Sequence, residues 1–369
     1  MGETRHEIRF AAGERIADLE GESIALVVTS PPYPMIEMWD GVFSAQDGAC
    51  AEALDAGEGW KAFEAMHRVL DPIWSEVHRV LAPGGIACID IGDAVRTLGG
   101  VFALYPNHAR ILSKLVAIGL QPLPGIIWRK PTNAPNKFMG SGMLPPGAYV
   151  TLEHEHVLVV RKGEKRRLST AAEKERRRES AFFWEERNQW FSDVWLDLVG
   201  ASQGLGGTAR ARSGAYPFEL PYRLIHMFSM RGDTVLDPFL GTGTTTAAAM
   251  AAGRSSIGYE IDPALAPDIE AQITLAPRLA RARLEERLRA HRAFVRDRFE
   301  KVGRFGYENA PHGFPVMTRQ ETGMVFEDLV EVRRAGAGAF EALYAKTTLG
   351  SAEPEQDVWA VTLEGEPIP

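Results

Sequence analysis

A short segment, TSPPY at residues 29–33, combines hydrogen-bond acceptors with an aromatic ring directly after the apolar run 24–28, which predicts a buried strand. Its two consecutive prolines remove two backbone N–H donors and fix φ, so the segment is a stiff, extended loop. The Ser30 hydroxyl and the Pro31 carbonyl can both accept hydrogen bonds from an exocyclic amine, and the Tyr33 ring can stack on a flat substrate. The segment therefore predicts a site for a flat molecule bearing an amine; a polyproline linker or a turn is the alternative interpretation.

A second segment, VLDPFLGTGT at residues 235–244, runs from an apolar strand through a glycine-bearing turn into an alanine-rich helix, residues 245–252. Because glycines allow close backbone approach and a helix N-terminus presents free N–H groups, the segment predicts a nucleotide cradle. Glu260 ends a second short strand, where a carboxylate holds ribose hydroxyls in doubly wound folds. The dinucleotide spacing G-x-G-x-x-G is not met, since Thr246 occupies the third glycine position, and this favours an adenosyl ligand over a nicotinamide cofactor.

Together, the two segments resemble motifs of the S-adenosylmethionine-dependent DNA amino-methyltransferases, whose catalytic motif is (Asp/Asn/Ser)-Pro-Pro-Tyr and whose cofactor motif is Phe-x-Gly-x-Gly. The order of the motifs resembles the permuted beta class, and the Ser form resembles the members that methylate the N4 amine of cytosine. The resemblance extends from about residue 6 to residue 262 and includes the stretches IEMWD, LAPGG, IDIGD, IIWRK and FSDVW. It departs at residues 212–217, where only the aromatic-Pro part of a His-x-Ala-x-Phe-Pro segment is present, so no role is carried over to position 212.

The resemblance implies a role for each matching residue, with S-adenosylmethionine as the cofactor. Asp237 is expected to face the ammonium end of the cofactor and Glu260 its ribose. The catalytic residues implied are Ser30, Pro31, Pro32 and Tyr33. The residues implied along the body of the cofactor are Phe239, Gly241, Gly243 and Thr244.

The elements that must position these residues alternate between strands and helices, which is typical of the α/β class. We predict a Rossmann-like methyltransferase sheet in permuted order, mostly parallel, with an antiparallel edge strand formed from the β-rich runs 125–130 and 157–161. A recognition insertion and a small C-terminal β-containing appendage are expected in addition. The predicted boundaries are 1–160 for the catalytic half, 161–214 for the target-recognition region and a flexible loop, 215–305 for the cofactor-binding half with an Arg-rich helix, and 306–369 for the appendage.

Two details of the helices are also predicted. Asp71 and Pro72 interrupt a helical pattern, as an N-cap and a first-turn proline would. The packed face of the Arg-rich helix is predicted from apolar residues at helical spacing, which are Leu284, Leu288, Val295 and Phe299.

Composition and charge limit the possible functions. With 45% hydrophobic and 24% charged residues, the chain is typical of globular proteins, and no stretch approaches the apolar length of a membrane span. The charged N-terminus lacks a secretory signal, which predicts a cytoplasmic location. Of the two cysteines, Cys50 and Cys88, neither follows a proline, so the Pro-Cys nucleophile by which carbon-5 cytosine methyltransferases resemble one another is missing.

Two basic segments, 161–180 and 278–304, together carry a formal charge of +11, against −8 for the whole chain. Concentrated positive charge suits phosphate contact, although a solvated charged helix is the alternative for each segment. The residues predicted to contact the DNA substrate are Trp39, as a wall of the base pocket, Lys137 in a polar glycine-rich loop, and Arg176, Arg177 and Arg178.

No metal site is predicted. His154 and His156 fall on one strand face, but the neighbouring sequence offers no third His or Cys ligand.

The sequence therefore predicts transfer of a methyl group from S-adenosylmethionine to the N4 amine of a flipped-out cytosine in duplex DNA. Methylation of the N6 amine of adenine is the nearest alternative, because it uses the same geometry. A DNA-binding regulator without catalysis is the alternative from another class, and the intact TSPPY and FLGTG segments argue against it. A restriction endonuclease partner is expected on a separate chain, and a homodimer is considered as the oligomer.

Overall fold

A computed structural model describes residues 2–11, 13–130, 139–198 and 216–347. The strands are β1 (Glu3–Phe10), β2 (Ile24–Thr29), β3 (Leu81–Ile91), β4 (Ala94–Leu98), β5 (Val101–Tyr105), β6 (Leu120–Pro122), β7 (Ile126–Arg129), β8 (Met139–Gly140), β9 (Ala148–Tyr149), β10 (His154–Lys162), β11 (Val194–Trp195), β12 (Thr234–Asp237), β13 (Ser255–Glu260), β14 (Tyr307–Glu308), β15 (Pro315–Val316), β16 (Glu327–Gly336) and β17 (Ala339–Lys346). The α-helices are α1 (Asp40–Gln46), α2 (Gly48–Asp55), α3 (Gly59–Val80), α4 (Asn107–Ala117), α5 (Ala171–Glu179), α6 (Trp184–Trp190), α7 (Glu219–Phe228), α8 (Thr244–Ala251) and α9 (Ala266–Val302).

One large mixed sheet organises the described chain, in the order β11-β7-β10-β3-β2-β12-β13-β1-β17-β16, with β6 paired to β10. The five central strands from β3 to β1 are parallel, while β10 and β17 run antiparallel on either side of them. Strands β2 and β3 precede β12 and β13 by more than a hundred residues but lie beside them, so the predicted permuted, mostly parallel sheet is confirmed. The predicted antiparallel pair β7 and β10 is also present, although β11 lies outside it at the edge.

Helices cover both faces of the sheet. Along β2, Leu26 and Val28 belong to one buried cluster and Val27 to another, as alternate residues of a strand must when both faces are packed. Helices α3 and α4 pack on the face that carries Val27, and α7 and α8 pack on the face that carries Leu26 and Val28. Because helices bury both faces, polar chemistry is left to the ends of the strands.

The C-terminal β region does not form a separate appendage. The hairpin β16-β17 continues the main sheet, because β17 pairs with β1. Strand β1 is therefore held between β13, where His6 lies opposite Ser256, and β17, where His6 lies opposite Phe340. Both partners of β1 therefore lie more than 240 residues after it in the sequence.

Helix α3 continues through Pro72, which corrects the predicted interruption. A proline inside a helix removes one backbone hydrogen bond and costs about 3 kcal/mol. Packing offsets this cost, because Leu70 and Trp74 on either side of Pro72 are buried. Asp71 does not cap a helix; its carboxylate accepts hydrogen bonds from Arg110 on α4.

The Arg-rich segment is the second half of α9, a helix of 37 residues. Leu284, Leu288 and Val295 are buried as predicted, whereas Phe299 is 37% exposed. Within the described ranges, no helix is long and apolar enough to cross a membrane.

Candidate active site

The two predicted motifs meet at the carboxyl ends of the central strands. Strands β2 and β12 are parallel neighbours, so the TSPPY loop and the glycine turn leave the sheet side by side. The Thr29 hydroxyl donates a 2.6 Å hydrogen bond to Asp237 Oδ1, which joins the two motifs directly although they lie 208 positions apart. Both side chains are buried. The residues predicted as catalytic are thus brought next to those predicted to bind the cofactor.

A chain of hydrogen bonds leads from the TSPPY loop, called the catalytic loop below after its predicted role, to strand β10. Ser30 Oγ donates to the Tyr33 hydroxyl at 3.1 Å, and this hydroxyl donates to Glu155 Oε2 at 3.2 Å. The other carboxylate oxygen, Glu155 Oε1, accepts from Lys130 Nζ at 2.7 Å. Because the Ser30 proton points toward Tyr33, the lone pairs of Ser30 Oγ are left to accept a hydrogen bond from a substrate.

The Tyr33 ring packs against backbone. A Cβ placed on Gly92 would lie 2.9 Å from this ring, so only glycine allows the approach. Burial raises the pKa of Tyr33 well above its usual value, and the nearby Asp90 and Glu155 carboxylates add to the effect. The phenol therefore stays neutral and remains a donor to Glu155.

Asn107 holds the far side of the loop. Its buried Nδ2 donates to the Pro34 carbonyl at 3.0 Å and to the Gly92 carbonyl at 2.9 Å. His67 Nε2 contacts Asn107 Oδ1 at 3.0 Å and fixes the amide. The loop is therefore tied both to the end of β3 and to α4.

Asp90, near the end of β3, is a buried acid beside this loop. Its side chain is 1% exposed, and within the described residues neither carboxylate oxygen has a hydrogen-bond partner. Burial and the neighbouring Glu155 carboxylate raise the pKa of Asp90 well above its usual value. Burial thus disfavours the ionised form of Asp90.

The glycine turn has the backbone geometry of a ligand cradle. Gly241 and Gly243 have φ values of 57° and 87°, a left-handed conformation that favours glycine. A Cβ on Gly243 would lie 3.3 Å from Ile269. Thr244 then begins α8, so the first N–H groups of this helix face the turn. Left-handed glycines before a helix N-terminus allow a ligand to approach the backbone closely.

The two acids predicted to bind the cofactor also hold the turn together. Asp237 accepts hydrogen bonds from Thr29, Thr245 and the Phe239 N–H, and burial raises its pKa. Glu260 accepts from the Gly241 N–H at 2.8 Å through Oε2 and from the Asp262 N–H at 2.8 Å through Oε1. Burial raises the pKa of Glu260, while these two backbone N–H groups oppose the shift.

The apolar residues of the site share one core cluster. Tyr33, Trp39 and Phe239 are each partly buried against it. The Phe239 ring lies 5.8 Å from that of Trp74 on α3. Trp39 lies six residues after Tyr33, at the end of a short 3-10 helix, Glu37–Trp39. Lys137 lies outside the described residues.

Arg176, Arg177 and Arg178 are not brought to the catalytic loop. They are exposed on α5. The Arg176 guanidinium lies beside Gly232, immediately before β12 begins, and Arg166 pairs with Asp233 at 2.7 Å. These contacts place the segment at the amino ends of the parallel strands, opposite the edge that carries the catalytic loop.

Two hairpins flank the carboxyl edge instead. Hairpin β4-β5 follows the end of β3, and hairpin β8-β9 lies between β7 and β10. Phe102 and Tyr149 stack across them with ring centroids 4.7 Å apart, and the rings are 36% and 50% exposed. Sequence patterns did not single out this pair, because neither aromatic lies in a motif.

Comparisons with known proteins agree with this geometry. A family model described as DNA methylase matches residues 24–271. Type II methyltransferase M.MthZI of Methanothermobacter thermautotrophicus is 52% identical over 320 residues, which cover 86% of this chain and 89% of the relative. Type II methyltransferase M.MjaI of Methanocaldococcus jannaschii is 48% identical over 287 residues, covering 73% of this chain and 91% of the relative.

A solved structure shares the fold. It is a protein of Thermus thermophilus that is provisionally described as a DNA modification methylase, in complex with S-adenosyl-L-methionine. It is 32% identical, covers 73% of this chain and 95% of its own, and superposes with a TM-score of 0.57. Since the family model spans most of the chain, including both motifs that meet at the carboxyl edge, the chain belongs to the N6/N4 DNA methylase family.

Proposed function

We propose that the protein transfers the methyl group of S-adenosylmethionine to the N4 amine of a cytosine flipped out of duplex DNA, as a beta-class enzyme. Membership of the DNA methylase family supports DNA methylation with this cofactor. The choice of cytosine rests on Ser30, which directly precedes Pro-Pro-Tyr and donates its hydroxyl hydrogen bond to Tyr33. The neutral, short Ser30 hydroxyl then faces the substrate amine as an acceptor. An Asp at this position would present a charged carboxylate instead.

The catalytic loop can activate an amine by accepting one hydrogen bond from each of its two N–H groups. The amine lone pair is delocalised into the cytosine ring, so the nitrogen is a poor nucleophile until hydrogen bonds draw it toward tetrahedral geometry. Ser30 Oγ has lone pairs available, and no hydrogen bond within the described residues uses the Pro31 carbonyl oxygen. These two acceptors act together in the transition state, where the N–H groups become more acidic.

The cofactor site adjoins this loop. When bound, S-adenosylmethionine supplies an electrophilic methyl group. The Gly241 and Gly243 turn lets the backbone approach the ligand, and the N-terminus of α8 offers N–H donors. The Thr29 to Asp237 hydrogen bond fixes the distance between the methyl site and the amine site. Asp237 and Glu260 orient the cofactor in this proposal, at its ammonium end and its ribose.

The base must leave the DNA helix to reach Ser30. Extrusion costs a few kcal/mol. Stacking on Tyr33 offsets roughly 1–3 kcal/mol of this cost, and Trp39 closes the pocket beside it. Glu155 and Asn107 hold the loop in the conformation that receives the base.

Product analysis tests the proposal. Unmethylated genomic DNA is incubated with enzyme and cofactor, digested to nucleosides and analysed by mass spectrometry. N4-methylcytosine is expected, and N6-methyladenine would assign the enzyme to the nearest alternative. Ser30→Ala and Tyr33→Ala should greatly reduce methylation by loss of an acceptor and of stacking, while titration shows that S-adenosylmethionine still binds. Loss of cofactor binding in both variants would remove these residues from the base site.

The proposed function also includes binding of double-stranded DNA and, as predictions, two protein partners. Double-stranded DNA is expected to approach the carboxyl edge, where hairpins β4-β5 and β8-β9 lie. Lys137 is proposed as a phosphate contact in the segment between β7 and β8. A separate restriction endonuclease, a homodimer and a cytoplasmic location stay predictions.

A further inference from the structure

Four side chains with metal-binding chemistry lie together beside the catalytic loop. Asp93 follows β3, His108 stands in the first turn of α4, and His154 and His156 begin β10. Because β10 runs antiparallel to β3, its first residues lie at the same carboxyl edge. Three elements thus contribute to one cluster, which no single stretch of sequence shows.

The distances suit a small cation. Asp93, His108 and His156 each offer a ligand atom, and these atoms lie within 4.8 Å of one another. Asp93 also contacts His108 Nδ1 at 2.8 Å, and the ring of His108 lies over that of His156 with centroids 3.9 Å apart. His154 Nε2 lies 3.2 Å from His156 Nε2. Two nitrogens bound to tetrahedral Zn²⁺ at 2.0–2.1 Å are separated by about 3.3 Å, so this pair already has the required spacing.

We propose that Asp93, His108, His154 and His156 bind one divalent first-row transition-metal ion, with Zn²⁺ as the reference ion. Three imidazoles and one carboxylate suit zinc, nickel or copper rather than calcium or magnesium, which prefer oxygen ligands. Binding requires the ligand atoms of Asp93, His108 and His156, which lie within 4.8 Å of one another, to close by about 1.5 Å. His154, which lies beside His156, joins them through rotamer adjustments at a half-buried site. The cluster opens to solvent, because the His108 side chain is 32% exposed.

The ion is not part of the methyl transfer step; it would brace the loop that performs it. Each ligand adjoins in sequence a residue that contacts the loop. Asp93 follows Gly92, His108 follows Asn107, and Glu155 lies between the two histidines of β10. Occupancy would therefore stiffen Tyr33 and Pro34 through three supports at once. This inference does not depend on which base is methylated.

Calorimetry and cobalt absorption test the proposal. Tag-free protein is treated with EDTA, dialysed, and titrated with Zn²⁺ by calorimetry and with Co²⁺ by visible absorption. We expect one ion per chain and an intense Co²⁺ spectrum typical of tetrahedral coordination. The double variant His108→Ala/His156→Ala should bind at least tenfold more weakly, and Asp93→Asn, whose amide keeps an oxygen to accept from the His108 N–H, should also weaken binding.

His78→Ala provides the matched control. This half-buried histidine lies on α3 near Gly119, outside the cluster, so its loss should leave the titration unchanged. Circular dichroism checks that each variant is folded. Absence of a stoichiometric ion, or equal affinity in the control, the double variant and Asp93→Asn, would overturn the proposal and leave a hydrogen-bonded histidine cluster without a metal.

Discussion

Replacement of Glu155 tests whether the hydrogen-bond chain from strand β10 positions the catalytic loop. Glu155 accepts from the Tyr33 hydroxyl and from Lys130, and its side chain is only 13% exposed. In Glu155→Gln the shape is kept and an acceptor oxygen remains, but the negative charge is lost. A hydrogen bond to a charged group contributes about 1.5–3 kcal/mol and a neutral one about 0.5–1.5 kcal/mol. We therefore expect a loss of roughly 1–1.5 kcal/mol at the Tyr33 hydroxyl.

This loss should appear in the rate of methyl transfer. If Tyr33 must be held in place to receive the base, 1–1.5 kcal/mol corresponds to a roughly tenfold lower kcat, since 1.36 kcal/mol changes a rate tenfold. Lys130 contributes little, because it is 38% exposed and its pairing is screened by solvent. Single-turnover methylation of saturating unmethylated DNA measures the effect. Cofactor affinity, measured by titration, should not change.

Glu153→Gln is the matched control. Glu153 lies two residues away and pairs with Arg129 at 3.3 Å, but both side chains are largely exposed and neither contacts Tyr33. Equal single-turnover rates for the two variants would refute the positioning role of Glu155. Weaker cofactor binding in Glu155→Gln would show that the residue acts through the other half of the site.

Three further outcomes are expected. Glu260→Ala removes the acceptor for the Gly241 N–H and should weaken S-adenosylmethionine binding by roughly 1–3 kcal/mol in a calorimetric titration; unchanged affinity would remove Glu260 from the site. Burial and nearby Arg110 lower the pKa of His67 from 6.5 to about 4, so the folded state resists protonation of this histidine. The free energy of unfolding should therefore fall as pH drops from 6.5 toward 4, by up to about 3 kcal/mol. Denaturant unfolding at pH 7 and pH 5 should show a smaller fall in His67→Gln than in the unchanged protein, and an equal fall would contradict the assignment. Replacing residues 176–178 by Gln should change the slope of log DNA affinity against log salt by less than about one unit, because α5 lies at the amino edge; a decrease approaching three units would show that all three arginines contact phosphate as the sequence predicts.

The two motifs could be located from sequence because each is a continuous run of a strand, a loop and, for the second, a helix. Strand β2 ends at Thr29, and α8 spans Thr244–Ala251, one residue from its predicted bounds. The resemblance is confirmed at the level of the N6/N4 DNA methylase family, and so is the permuted sheet. Local chemistry was sufficient in these places, since prolines, glycines and apolar runs restrict the backbone wherever they occur.

Features that depend on pairing between distant segments could not be predicted in the same way. Glu155 is one acid in an otherwise ordinary strand, and only the antiparallel pairing of β10 with β3 places it at the catalytic edge. The basic run at residues 176–178 has the composition of a phosphate-binding segment, but the fold carries it to the opposite edge. Asp71 and Pro72 were expected to interrupt a helix, yet burial of the neighbours of Pro72 outweighs the lost hydrogen bond. In each case tertiary contacts override a local preference.

The position of β1 has a consequence for how the protein is made. This strand is synthesised before its partners β13 and β17, which follow about 250 and 335 residues later. At 5–20 residues per second, β1 waits roughly 17–70 s before both of its edges can be paired. During that time its backbone donors and acceptors can pair with another nascent chain. Charged residues occupy every second position along it, at Glu3, Arg5, Glu7 and Arg9, and charges on an exposed strand are one means by which natural proteins limit such edge-to-edge association.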